Sequence, residues 1–156
     1  MPEYRYDLFA DYFQFYLQDE QAEGDLSKSW TPQATEDRLA LAPSTIGVGT
    51  ARNMTVPVTV VVRDSPPATD DFDQWDHICE CSIDIPSGRL VVAGCTDYFR
   101  DAARIQIAPG EYRARIYHGD LDALSADELD GDDHYQVVLW PASYAEPEVI
   151  KRHHDA

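Results

Sequence analysis

His77, Cys79 and Cys81 are the residues whose types and spacing first suggest chemistry. On a strand, positions i, i+2 and i+4 point the same way, and imidazole and thiolate are good zinc ligands. The same alternation also carries Trp75, Ile83 and Ile85, so this face reads as core. Zinc pairs usually use Cys-x2-Cys spacing, and a fourth ligand is missing. With Ile85 opposite Leu90 across a hairpin, parity sends Gly94 to the cysteine face and Cys95 to the other. The thiols therefore read as structural, and we expect no metal and no cofactor.

Other catalytic patterns fail on inspection. Asp130-Gly131-Asp132-Asp133 offers carboxylates but lacks the alternating Asp ligands, Gly and distal Glu of a calcium loop. Gly-x-Ser-x-Gly, Gly-x-x-x-x-Gly-Lys and His-Glu-x-x-His are all absent. Ile46-Gly47-Val48-Gly49-Thr50 lies in a strand-like run with no helix after it, so it is no phosphate loop. His118, His134, His153 and His154 are scattered along the chain. No catalytic residue is assigned, and the reading is non-enzymatic.

Charge is more informative. Twenty-nine Asp and Glu face twelve Lys and Arg, a net charge of -17. Such a surface repels nucleic acid and anionic lipid and favours a cationic partner. Sixteen of the acids fall in three stretches without a base, at 19–25, 64–76 and 120–133. The expected docking residues are Asp120, Asp122, Asp127, Glu128, Asp130, Asp132 and Asp133, with Asp70, Asp71, Asp73 and Trp75 as a second patch. Aromatics beside carboxylates can anchor a cationic protein surface. Solvated loops are the plain alternative, because Asp outnumbers Glu twenty to nine and such bias can be proteome-wide. Tyr12, Tyr16, Trp30 and Trp75 could also line a groove for a small ligand or carbohydrate.

The elements that must position these residues are mostly strands. Period-two alternation marks Tyr12 to Gln18, Thr45 to Arg52, the Val56, Val58, Val60, Val62 row, Trp75 to Ile85, and Tyr135 to Trp140. Pro86-Ser87-Gly88 reads as a hairpin turn into Leu90–Val92, and Pro109-Gly110 as a second one from Ile105–Ile107 into Tyr112. The tyrosine just after that Pro-Gly turn is similar to a tyrosine corner. Thr31 and Pro32 predict a short helix start, and Ala123 to Leu129 another helical turn. Eight or nine short strands bury both faces best as an all-β, antiparallel β-sandwich, a closed barrel being the competing solution. The chain reads as one domain over residues 1–156, with a charged tail from 141 that frays at its end. Three cysteines, no apolar run of membrane-spanning length and no secretory start suggest the cytoplasm.

The order of Asp11-Tyr12-Phe13-Gln14-Phe15-Tyr16-Leu17-Gln18-Asp19, Trp30-Thr31-Pro32-x-Ala34, the strand to Arg52, the valine row and Pro-Gly-Glu-Tyr resembles the ComJ-like family over about residues 8–140. That family is named for a competence protein that inhibits a DNA-entry nuclease. The resemblance implies a protein that binds a nuclease. It assigns no inhibitory residue to a numbered position. The acidic loops and the tail depart from it, which bears on the partner more than on the fold.

Overall fold

The computed structural model describes residues 2–153. Its strands are β1 (Glu3–Phe9), β2 (Gln14–Asp19), β3 (Leu39–Ala42), β4 (Thr45–Gly49), β5 (Thr55–Val62), β6 (His77–Ile85), β7 (Arg89–Gly94), β8 (Ala103–Gln106), β9 (Gly110–Gly119), β10 (His134–Pro141) and β11 (Glu148–Lys151). One helix, α1 (Pro32–Asp37), lies between β2 and β3. The strands form a six-stranded sheet, β1-β5-β10-β9-β6-β11, and a five-stranded sheet, β3-β4-β2-β7-β8. The all-β sandwich expected from the alternation is what forms. It has more strands than expected, and the β5–β10 pair is parallel where an antiparallel sandwich was expected.

Period-two patterning builds the interior. Val56, Val58 and Val60 of β5, Phe15 and Leu17 of β2, and Val137 and Leu139 of β10 are all essentially inaccessible to solvent. Each such side chain contributes roughly 1.5–3 kcal/mol on burial. Phe15 and Tyr135 meet edge to face across the two sheets, ring centres 5.8 Å apart. Helix α1 starts as its sequence predicts, since Thr31 Oγ1 accepts from the Ala34 amide at 3.1 Å. It ends at Arg38 in the left-handed region, whose amide bonds the last carbonyls.

Three expectations change. The turn at 86–88 is no hairpin. Strand β6 pairs with β9 and β11 while β7 pairs with β2 and β8, so the turn arches from one sheet to the other. Asp19, almost fully buried, secures the arch by accepting from the Ser87 amide at 3.0 Å and hydroxyl at 2.7 Å. Ile85 and Leu90 are therefore not cross-strand partners; Ile85 pairs with Gly110 and Leu90 with Asp19. The turn at 109–110 likewise links β8 to β9 across the sheets, and Tyr112 donates to the Ala108 carbonyl at 2.5 Å, a tyrosine corner.

Second, Ala123–Leu129 holds a single hydrogen-bonded turn, the Glu128 amide on the Ser125 carbonyl at 2.9 Å, and no helix. The segment closes instead through a bridge between Leu124 and Gly131. Third, the region read as a tail carries β11, which pairs with β6 through a shifted register. The fraying expected at the chain's end falls partly on residues 154–156, outside the described residues.

Candidate functional site

The link between β9 and β10, residues 120–133, is held at its base and open at its tip. Asp133 is fully buried. It accepts from Arg52 Nε at 2.5 Å and from the Tyr135 hydroxyl at 2.6 Å. That hydroxyl in turn accepts from the Ala51 amide at 2.8 Å. Arg52 also donates to the Leu129 carbonyl at 3.1 Å, so one buried guanidinium ties the loop to the core at two points. At the other end Leu121 is buried and its amide bonds Asp76 Oδ2 at 2.8 Å. The tip braces itself. Asp127 Oδ1 accepts from the Ser125 hydroxyl at 2.6 Å and the Leu129 amide at 3.1 Å, and these bonds lower its pKa.

This arrangement corrects the expected docking set. Asp133 faces the interior and cannot meet a partner. Asp120, Asp122, Asp127, Glu128, Asp130 and Asp132 are exposed. Two of the six have histidine neighbours, Asp122 with His153 at 3.2 Å and Asp120 with His134 at 3.8 Å. No Lys or Arg salt bridge reaches any of the six among the described residues.

The second acidic stretch is placed differently. Residues 64–76 lie as a strap over the outer face of the six-stranded sheet. Phe72 and Trp75 both pack on Tyr117, at 6.5 Å and 5.2 Å between ring centres. Trp75 therefore belongs to an outer cluster with Ile78, Tyr117, Val138 and Trp140, not to the His77 face where alternation put it. The reason is local: Trp75 ends a 3-10 turn at Phe72–Gln74, before the strand begins. Beneath the strap, Glu80 accepts from Arg113 at 2.9 Å and Arg115 at 2.7 Å, all three nearly buried. The Arg115 guanidinium also lies 5.2 Å over Phe72 and 5.4 Å over Trp140. Of the predicted second patch, Asp70 and Asp73 are exposed, whereas Asp71 and Trp75 are half-buried.

An aromatic groove of about 500 Å³ adjoins the 120–133 loop through the segment Gly49–Arg52. Tyr12, Phe13, Gln14, Trp30, Thr35 and Arg38 complete its lining with Gly49 and Thr50. Three of these, Tyr12, Phe13 and Arg38, sit at φ of 58°, 60° and 58°. Left-handed backbone at non-glycine residues is strained and is often found at functional sites. Phe13, placed by alternation beside Phe15 and Leu17, is instead 48% exposed, and Tyr12 is 70% exposed. Gly49 lets the backbones approach closely here, since a Cβ would meet the Arg38 Cα at a tight 3.2 Å.

Below this end of the sandwich lies a buried group that sequence spacing did not assemble. His77 and His118 are cross-strand partners on β6 and β9, and Cys79 follows two residues on. Their ligand-type atoms lie within 4.8 Å of one another, and all three side chains are fully buried. Burial lowers the His77 pKa to about 4, holds that of His118 well below its usual value and pushes the Cys79 thiol up. Cys81, the third member expected from the spacing, stays in the core with its thiol pushed up to about 12, chiefly by burial. The third ligand-type residue is His118, forty-one positions along from His77. Only strand pairing could have revealed it.

These features define a two-sheet sandwich with an exposed acidic loop and an aromatic groove at one end. No protein-family model and no curated protein matches the chain by sequence. By structure it is similar to ComJ from Bacillus subtilis, described as the inhibitor of the DNA degrading activity of NucA. The TM-score is 0.67 at 13% identity, covering 91% of this chain and 96% of that one. It is also similar to a chain described as Crocagin biosynthetic gene J, with a TM-score of 0.60 at 19% identity, covering 92% and 100%. The likeness runs nearly the full length of each chain, so the fold is that of ComJ. Among the described residues, no helix is long and apolar enough to cross a membrane.

Proposed function

We propose that the protein is a non-enzymatic, inhibitor-type binding protein that docks on a basic partner, a nuclease. The observation that carries the reading is the 120–132 loop. Six carboxylates stand exposed on a segment whose base is locked to the core by Arg52 and Asp133. A nuclease binds DNA through a cationic surface, and carboxylates held in fixed positions can occupy that surface where phosphates would lie. Their attraction speeds encounter, while packing at the interface sets the lifetime. Asp70 and Asp73 form a smaller second patch. The inhibitory role described for ComJ supports the same direction. On this reading the protein binds neither nucleic acid nor membrane directly, and it acts in the cytoplasm.

A second reading rests on the aromatic groove, whose volume lies in the range of small-molecule sites. It makes the protein a binder of a small ligand or carbohydrate through Tyr12, Phe13 and Trp30.

The test is DNA degradation by a NucA-type nuclease with the purified protein titrated in. We expect stoichiometric inhibition that weakens as salt is raised. Undiminished degradation at low salt, with the protein in molar excess, would reject the inhibitor reading. A ligand that quenches Trp30 fluorescence without a nuclease present would favour the second.

A further inference from the structure

We propose that His77, Cys79 and His118 form a binding site for one thiophilic metal ion, zinc or copper. Three observations support it. Two imidazoles and a thiol converge within 4.8 Å in a fully buried position, and these three make up the whole group among the described residues. Their placement is rigid. Cross-strand pairing sets His77 against His118, and the two-residue strand period brings Cys79 to the same face.

The histidines' hydrogen bonds supply the third observation. Neither ring nitrogen of His118 has a hydrogen-bond partner among the described residues, although the side chain is fully buried. Leaving a buried polar group unpaired costs about 1–3 kcal/mol. A metal bond would satisfy one of its nitrogens. His77 shows the complementary pattern. Its Nε2 lies 2.8 Å from the Asp37 carbonyl, an acceptor only, so Nε2 carries the proton. A ligand histidine typically donates its other N–H to just such a carbonyl. The lone pair is therefore on Nδ1, which accepts from the His153 amide at 3.1 Å. Metal binding would replace that amide, so the chain at His153, just after β11, must give way as the ion enters.

The donor set chooses the metal. A thiolate with two imidazoles suits zinc or copper and disfavours magnesium and calcium, which take oxygen ligands. Bonds of about 2.0–2.3 Å place ligand atoms about 3.5 Å apart, so the side chains must contract by about an ångström. Binding deprotonates the Cys79 thiol and releases one proton to solvent.

The test uses the full chain, reduced and stripped with a chelator, then titrated with cobalt(II), zinc(II) and, anaerobically, copper(I). We expect one ion per chain, a thiolate-to-cobalt charge-transfer band, and a rise in melting temperature with metal. Zinc and copper(I) compete against chelators of known affinity, which ranks the two ions for this donor set. Cys79→Ala should abolish the band and weaken binding by at least about 100-fold. Cys79→Ser, which keeps nearly the same volume, should also lose the band. Cys81→Ala and Cys95→Ala should keep it. Thermal melts of the metal-free variants identify any that fail to fold. The proposal is overturned if the wild-type chain binds no stoichiometric ion, or if the band survives in folded Cys79→Ala or Cys79→Ser.

Discussion

The stretches 64–76 and 120–133 look alike as sequence, each rich in acids and free of bases, but the fold sets them to different uses. The first carries Phe72 and Trp75, and these bury against Tyr117 and strap the segment over a sheet. Its cover lies on Arg115, which donates to the Ala68 carbonyl at 3.3 Å and shares Glu80 with Arg113. The second carries Leu121 and Leu124 near its start but no aromatic. It is fixed at one end by the buried pair Arg52 and Asp133 and at the other by the Leu121 amide on Asp76, and the remaining six acids stay in water. A charge run therefore becomes a lid or a projecting surface according to the apolar residues beside it and the cations beneath it. The 19–25 stretch lies between these cases, with Asp19 buried and Glu20 paired to Arg89 and Arg104.

That contrast can be broken at its anchors. Glu80→Ala leaves two nearly buried guanidinium groups without their shared carboxylate, and should cost about 3–5 kcal/mol in urea unfolding. Arg52→Ala leaves Asp133 buried and unpaired, and should cost about 3 kcal/mol. The two variants separate by hydrogen exchange. Losing Arg52 should speed exchange at the loop amides of Ser125 and Asp132, and losing Glu80 should leave those amides protected.

Smaller changes sharpen the same comparison. Phe72→Ala removes a half-buried ring and its contact with Arg115, and should cost about 1–2 kcal/mol. Leu129→Ala, at a side chain 52% exposed on the projecting loop, should change stability by no more than about 0.5 kcal/mol. A melting series on both variants checks this ordering, and equal losses would mean that the loop is packed like the strap. Asp70→Asn with Asp73→Asn should leave stability within about 0.5 kcal/mol and slow partner association less than changes at 120–132 do. Comparing on-rates for the two sets of variants measures the difference.

Local chemistry was legible and long-range pairing was not. Thr31 and Pro32 announced α1, the valine row announced β5, and Tyr112 announced its corner, because each is decided within a few residues. A turn such as Pro86-Ser87-Gly88 specifies a reversal but not whether the next strand rejoins the same sheet, and the arch undid the parity argument built on it. Asp133 looked like its neighbours until Arg52, eighty-one residues away, took it into the core. His118 joined His77 and Cys79 for the same kind of reason. Strand β11 was hidden because Glu148 and Lys151 flank only Val149 and Ile150, a weak alternation at a sheet edge. The backbone strain at Tyr12 and Phe13 had no sequence signal, since aromatic residues in a strand-like run favour extended conformations.

The most direct test of the docking account is the association rate with a NucA-type nuclease for the wild-type chain and a six-site variant. The variant changes Asp120, Asp122, Asp127, Asp130 and Asp132 to Asn and Glu128 to Gln, leaving Asp133 in place. At low salt the rate should fall by at least about 10-fold, and its dependence on ionic strength should flatten. An unchanged rate with an unchanged salt slope would contradict the account and leave the 120–132 acids merely solvated.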